Sequence, residues 1–548
     1  MKRLFTILFL CFIIVVAEAF SQTYLYSYWI QFTDKNNNPY SLDRPEEFLS
    51  ERAIQRRIRQ NIPYSSNDLP VTPAYIDSIK ALGIPVHNIS KWFNAITTGY
   101  IDPELLGQIY SLPFVVKPQI NGPKQVISGI NNKSATEAIE YNSWDSYYGV
   151  SGDQIRIHDG HFLHQQGYTG RGIHIALMDA GFLGVDVIPG FYDLWNEDRI
   201  IGTRDFVNRN SNIFREHAHG MHVLSVIAGN IPYQFVGTAP DASFWLLRSE
   251  DVDTEYLIEE DNWVSAAEFA DSAGVDIISS SLGYSVFDDS TQNHTYEDMD
   301  GNSTRISIAA DIAASKGILV ISSAGNQGGR KWKYITAPAD ADSVLAIGAV
   351  DSLGIIAAFS SRGPSYDGRI KPNVCAIGNG TYIIRYNGSL GIGAGTSLSA
   401  PVITGLAACL WQANPDATNM EIFSAIQESS HKFLDPDTIY GYGIPDFNLA
   451  NIILKNKYDS GPSELVSLQV FPNPFSENIN VLFYSGSPGT VFITIYDIAG
   501  KITREERYDL NDMYNEITIG NLSGLSSGIY FIKIQSENSS SIQKIVKL

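Results

Sequence analysis

Four side chains of different chemistry stand at the ends of apolar runs or beside glycines. Ser397 lies in Gly395-Thr396-Ser397-Leu398-Ser399-Ala400-Pro401, ahead of the apolar stretch Val402 to Trp411. A serine that opens a helix sits among backbone N–H groups without partners, in a partly positive field. It serves there either as an N-cap or as a nucleophile whose own N–H helps to hold an oxyanion. Asp179 follows Ile175-Ala176-Leu177-Met178 and, taken alone, reads equally as a loop or cap carboxylate. His217-Ala218-His219-Gly220-Met221-His222 opens a second helical stretch. Imidazoles are common metal ligands, but no Glu stands between these histidines in the zinc-protease spacing. Asn326 belongs to Ser322-Ser323-Ala324-Gly325-Asn326, where Asn in Gly-rich sequence ordinarily marks a turn. Together the four supply a nucleophile, a base, an orienting acid and an oxyanion donor.

Positioning them requires a frame, and the pattern from Ile173 onward provides one. Short apolar runs at 173–178, 244–247, 275–279, 318–321 and 344–350 alternate with helical patterns at 221–228, 263–273, 306–316 and 398–411. Continuously apolar strands alternating with helices imply an α/β fold with a parallel sheet covered on both faces. In such sheets ligands bind beyond the carboxyl ends of the strands, where Asp179 and Asn326 fall.

In the chain order Asp179, His219, Asn326, Ser397 these segments resemble the subtilisin-like serine proteases, the subtilases of peptidase family S8. That family carries Asp-[Ser/Thr]-Gly, His-Gly-Thr-His-Val, a Gly-Asn oxyanion motif and Gly-Thr-Ser-x-[Ser/Ala]-x-Pro, and the order separates it from other serine proteases. The resemblance covers residues 170 to 450. It implies a secreted endopeptidase with Ser397 as nucleophile, His219 as base, Asp179 as orienting acid, and Asn326 with the Ser397 N–H as oxyanion donors. His222 competes as base; His219 is preferred because it precedes Gly220, as the family's catalytic histidine does. Ser281-Leu282-Gly283 and Ser323-Ala324-Gly325 correspond to segments that flank the bound peptide in relatives. The chemistry requires no cofactor; structural calcium occurs in the family, but the sequence identifies no ligand set. Ala180 and Met221 replace flanking hydroxyl residues of the family pattern. These departures keep open a second reading, a catalytically impaired surface binding protein.

The remaining chain is read around this centre. Met1-Lys2-Arg3, the apolar run Leu4 to Val16 and Ala17-Glu18-Ala19 form a secretory signal peptide, assigned to 1–22. Residues 23–125 mix strand and helix patterns in the manner of a small α+β domain. Expected elements are a strand over 24–33, helices over 45–60 and 73–82, a strand over 92–98 and a short helix over 103–111. Arg52, Arg56, Arg57 and Arg59 crowd the first helix, as a solvated face or a docking surface. Its place before an enzyme, and its likeness to prosegments of secreted Bacteroidetes subtilases, make this region a propeptide cut between 118 and 150. The peptidase is assigned to 140–455, and Asp459-Ser460-Gly461-Pro462 reads as a linker.

Residues 464–548 alternate in short strands, with Val491, Ile493, Ile495 and later Tyr530, Ile532, Ile534 on one face each, as in a small β-sandwich. Val470-Phe471-Pro472-Asn473-Pro474, Tyr496-Asp497-Ile498-Ala499-Gly500-Lys501 and Leu525-Ser526-Ser527-Gly528-Ile529-Tyr530 resemble the type IX secretion sorting domain. Expected partners are protein or peptide substrates, the chain's own propeptide and the type IX secretion machinery. Nucleic acid is excluded by a net charge of −21 (38 basic against 59 acidic residues). Of three cysteines, Cys11 leaves with the signal peptide. Cys375 and Cys409 remain, as a disulfide or as two buried apolar residues. The acidic stretch from Val286 to Gly301 reads as a solvated loop in preference to a calcium site.

Overall fold

The computed structural model describes residues 25–123, 147–458, 466–484, 489–510, 514–536 and 539–548. The signal peptide, the Asp459–Pro462 linker and most of the stretch assigned to the propeptide junction lie outside them.

The N-terminal unit is a four-stranded antiparallel sheet with helices on it. Strands β1 (Tyr26–Gln31), β2 (Val86–Ser90), β3 (Ala95–Thr98) and β4 (Gln119–Pro123) pair in the order β2-β3-β1-β4. The single helix expected over 45–60 is two pieces. A 3₁₀ turn at Pro45–Glu47 ends, and α1 (Glu51–Arg59) starts anew at Ser50. Ser50 is extended, and its hydroxyl accepts from the Ala53 N–H at 3.2 Å, as an N-cap does. A second helix, α2, spans Pro73–Ala81.

In the central unit, β5 (His174–Asp179), β6 (Ile200–Asp205), β7 (Ser243–Arg248), β8 (Ile277–Ser280), β9 (Leu319–Ser323), β10 (Val344–Val350) and β11 (Val374–Ile377) form one parallel sheet, ordered β11-β10-β9-β8-β5-β7-β6. Its helices include α3 (His219–Ala228), α4 (Ile258–Ala273), α5 (Arg305–Ser315) and α6 (Thr396–Ala413). Successive strand residues face opposite layers. Ile175 and Leu177 join the core under α3 and α6, whereas Ala176 and Met178 join the core under α4 and α5. Both layers are apolar, so the strands read as continuous runs. The strand β11 is apolar and buried but only four residues long, and the edge strand β6, whose last four residues are Gly-Thr-Arg-Asp, lacks that signature; the sequence pattern marks neither.

The propeptide-like unit sits on α4, and its arginine helix is a docking surface. Arg56 and Arg57 are fully buried, both on Asp271, at 2.6 and 2.8 Å. Lys91 reaches the same carboxylate at 2.9 Å. Ser90 donates to Glu268 at 2.5 Å and Thr97 to Asp261 at 2.7 Å. Gly274, which closes α4 in the left-handed region (φ 83°), makes room: a β-carbon there would stand 2.6 Å from the Ala53 backbone nitrogen.

The C-terminal residues build two antiparallel sheets over one core. Strands β12 (Val466–Phe471), β13 (Ile479–Tyr484), β14 (Gly489–Asp497), β15 (Ile502–Leu510), β16 (Tyr514–Ile519), β17 (Gly528–Gln535) and β18 (Ser540–Lys547) pair as β12-β13-β16 and β15-β14-β17-β18. Val491, Ile493, Ile495, Tyr530, Ile532 and Ile534 all point into that core.

Cys375 on β11 and Cys409 on α6 are free, buried thiols, and burial raises the pKa of both. The acidic stretch 286–301 is anchored: Phe287 and Met299 are buried, while Asp289 and Asp298 accept from backbone N–H groups of its two 3₁₀ turns.

Candidate active site

Asp179 is the last residue of β5 and is wholly buried. Its Oδ1 accepts from the Ala180 N–H at 2.7 Å and lies 2.8 Å from His219 Nδ1. That contact needs the start of α3 to approach the end of β5 closely, and Gly220 permits it. A β-carbon on Gly220 would stand 2.5 Å from the Gly181 carbonyl oxygen and 2.8 Å from Asp179 Cβ. Ala180 and Met221 are buried and apolar, so they serve packing where the family pattern has hydroxyls.

The three histidines separate electrostatically. Burial lowers the His219 pKa, but the Asp179 carboxylate, its hydrogen bond and the nearby Glu250 together carry it above the ordinary value. Burial, reinforced by His219, pushes His222 down to about 4. His217 is also lowered, by burial first. Of the three, His219 alone has an acid to orient it.

Ser397 is the second residue of α6 and is 9% exposed. Asn326 lies just past β9. Its Oδ1 accepts from the Thr396 N–H at 2.9 Å and from the Thr396 hydroxyl at 3.1 Å, which turns Nδ2 the other way. A β-carbon on Gly395 would meet Ser397 Oγ at 3.0 Å and Asn326 Nδ2 at 3.6 Å. The hydroxyl and the amide donor therefore border one small space.

The proline of the serine motif has a local consequence. Pro401 stands inside α6 and has no N–H for the carbonyl four residues back. That carbonyl belongs to Ser397, and Ser281 Oγ donates to it at 2.9 Å. The Gly325 N–H likewise donates to Thr396 Oγ1 at 3.1 Å. Of the two segments expected to flank a peptide, Ser281 and Leu282 are mostly buried and Gly283 is exposed; Ser323 and Ala324 are buried and Gly325 is half-exposed. Each is tied to the serine motif. Helices α3 and α6 pack together, with His219 and Ser397 at their first turns beside the carboxyl edge of the sheet.

Sequence reasoning missed the carboxylates beside this cleft. Glu250, Glu255 and Glu259 each place an oxygen within 4.8 Å of the other two, a grouping that fits a cation. The helical pattern is expected to start at Trp263, but α4 starts at Ile258, so Glu259 lies in its first turn, while Glu250 and Glu255 lie in the loop before it.

A family model described as "Subtilase family" matches residues 170–443, half of the chain. The chain belongs to the subtilase family. It is therefore a serine-type peptidase. Two further models match, a peptidase S8 propeptide domain of Bacteroidota over 27–138 and a secretion system C-terminal sorting domain over 469–548. The latter supports secretion or a cell-surface location, and the former a propeptide as the chain's own partner. Serine protease AprX of Bacillus subtilis is 31% identical over 51% of this chain and 66% of its own length. Subtilisin E of Bacillus subtilis is 30% identical over 54% of this chain and 69% of its own length. Among solved structures, MycP1 from Mycobacterium smegmatis is 24% identical, with a TM-score of 0.45, over 59% of this chain and 89% of that one.

Proposed function

We propose that this subtilase is a secreted endopeptidase in which Asp179, His219 and Ser397 form the catalytic triad and Asn326 completes the oxyanion hole. The observation that carries the reading is the Asp179–His219 contact of 2.8 Å at the same sheet edge as the paired Ser397 hydroxyl and Asn326 amide. Ser397 Oγ attacks the scissile carbonyl while His219 Nε2 takes its proton. Asp179 holds the proton on Nδ1 and stabilises the imidazolium. The Asn326 amide and the Ser397 N–H, at the positive end of α6, receive the oxyanion. The imidazolium then protonates the leaving amine, and water repeats the sequence on the acyl-enzyme.

The chain reaches its place of work in three steps on this reading. The signal peptide directs export to the periplasm. The type IX machinery takes the C-terminal module across the outer membrane. The propeptide on α4 is removed to give the mature enzyme. The test is digestion of an unfolded protein by the matured chain, with products read by mass spectrometry. Internal cleavages lost in Ser397→Ala support the reading; unchanged cleavage in that variant, or none by the wild type, rejects it.

A further inference from the structure

Just past Asn326 the chain runs into Gly328-Gly329-Arg330-Lys331-Trp332-Lys333-Tyr334. The Arg330 N–H donates to the Gln327 carbonyl at 2.8 Å, so one tight turn separates Arg330 from the residue after Asn326. The Trp332 indole N–H donates to the Ile335 carbonyl at 3.0 Å and pins the loop. A neighbouring segment adds a fourth cation. The Arg362 N–H donates to the Lys333 carbonyl at 3.0 Å, and the Ile335 N–H donates to the Arg362 carbonyl at 3.0 Å. Arg330, Lys331, Lys333 and Arg362 are all exposed.

Acidic residues outnumber basic ones by 59 to 38 in this chain. Yet among the described residues no ion pair includes any of these four. Asp367, on the same loop as Arg362, is already paired with Arg369 at 2.6 Å. Aromatic rings lie beneath the charges. Tyr334 stacks on Tyr296 at 3.9 Å, and the exposed Tyr366 meets Tyr296 edge-on at 5.6 Å. Lys333 is left-handed (φ 57°), uncommon for a lysine, and its ammonium lies 5.1 Å from the Tyr334 ring centre. These like charges are held by a pinned loop and a ring stack, not strung along a solvated tail.

Their place names the partner. A net charge of −21 repels an acidic chain at long range, and the four cations reverse that sign beside Asn326. The Asn326 amide and the Ser397 hydroxyl border one space, so a polypeptide cut at Ser397 passes Asn326. The turn puts Arg330 less than about 7 Å beyond Gln327. Carboxylates on that polypeptide are the complement that guanidinium and ammonium groups take. An anionic membrane would meet the same charges, but pressed on this corner it would shut the polypeptide out.

We propose that Arg330, Lys331, Lys333 and Arg362 form a basic exosite that draws an acidic stretch of a substrate protein to the cleft, close to the scissile bond. The exosite goes beyond the protease reading and rests on it.

The test uses the matured chain and a peptide it cleaves, extended through a Gly-Ser spacer by a short run of aspartates or of asparagines, at each end in turn. At low salt, on the order of 10 mM, kcat/KM for one aspartate peptide should exceed that of its asparagine counterpart about three- to tenfold, through KM. The ratio should fall towards one in about 1 M sodium chloride. It should drop below one in the double variant Lys331→Glu, Lys333→Glu, which should still cleave the asparagine peptides within about twofold of the wild type. Ratios of one or less at both ends in the wild type overturn the exosite and leave the protease intact, as does a preference that the double variant keeps. Sedimentation of the wild type, but not of the double variant, with phosphatidylglycerol vesicles, in the absence of any aspartate preference, makes the patch a membrane face and also overturns it. No cleavage of any peptide rejects the protease reading itself, and the exosite with it.

Discussion

The Ser397 carbonyl shows how a single residue shapes the centre from a distance. Pro401 denies that carbonyl its helical donor, and Ser281 replaces it. Ser281→Ala should leave a buried acceptor unpaired and lower stability by about 1–3 kcal/mol in chemical denaturation. Adding Pro401→Ala restores an N–H at the right place and should recover part of that loss. Non-recovery would mean that the proline does not set this bond. Asp179→Asn should lower kcat on the order of 10⁴-fold, the size known for such an acid in another Ser-His-Asp enzyme, by favouring the wrong imidazole tautomer. His219 must be neutral to act as base, and its pKa is raised. Activity should therefore fall as pH drops through an apparent pKa above about 6.5, read from the acid limb of kcat/KM; a limb centred below 6 contradicts the assignment. The four side chains proposed to react were legible as candidates because each motif pairs a reactive residue type with glycines or with a strand end. The Ser281 bond was not, since nothing local links residues more than a hundred positions apart.

Helix α4 works at the next scale, with one end beside Glu250 and Glu255 and its body under the propeptide unit. The four arginines of α1 were readable as a cluster, with a docking surface as one of two readings, but their partner was not. Only the fold reveals Asp271, and a carboxylate in a helix interior gives no periodic signal. Where the propeptide unit covers α4, Asp261 is raised to about 6 and Glu268 to about 7, each chiefly by burial. Raised values mean that docking takes up protons. This contribution is full at pH values below the free carboxylates' own pKa near 4 and is lost as pH rises through 6 to 7. His87, lowered chiefly by burial, works the opposite way, and only on the acid side of its ordinary value. The propeptide supplied in trans should therefore bind, and so inhibit if it covers the cleft, at least about tenfold more weakly at pH 8 than at pH 5.5. Inhibition constants that do not change, or that tighten towards pH 8, contradict this. Arg57→Ala should weaken inhibition at both pH values, because it strands Asp271 with fewer partners.

At the scale of the molecule, the described residues divide into separate cores. One serves the propeptide unit, two lie on either side of the parallel sheet, a small one joins Ala324, Ile335, Ala339 and Ala346, and one fills the C-terminal sandwich. This order was largely readable, because continuous apolar strands and alternating ones leave different traces. A chain ending at Tyr458 should keep kcat/KM within about twofold once matured, since no residue of the sandwich core belongs to the other cores. Substantial loss of activity would show that the sandwich supports the cleft. On this reading one reactive centre is assembled from distant parts of the chain. It is tested most directly by labelling the matured protein with a fluorophosphonate and mapping the adduct by mass spectrometry. One label per chain on Ser397, lost in Ser397→Ala and strongly slowed in His219→Ala, is the predicted result. A label on another residue, none at all, or labelling of Ser397 at an unchanged rate without His219 would contradict it.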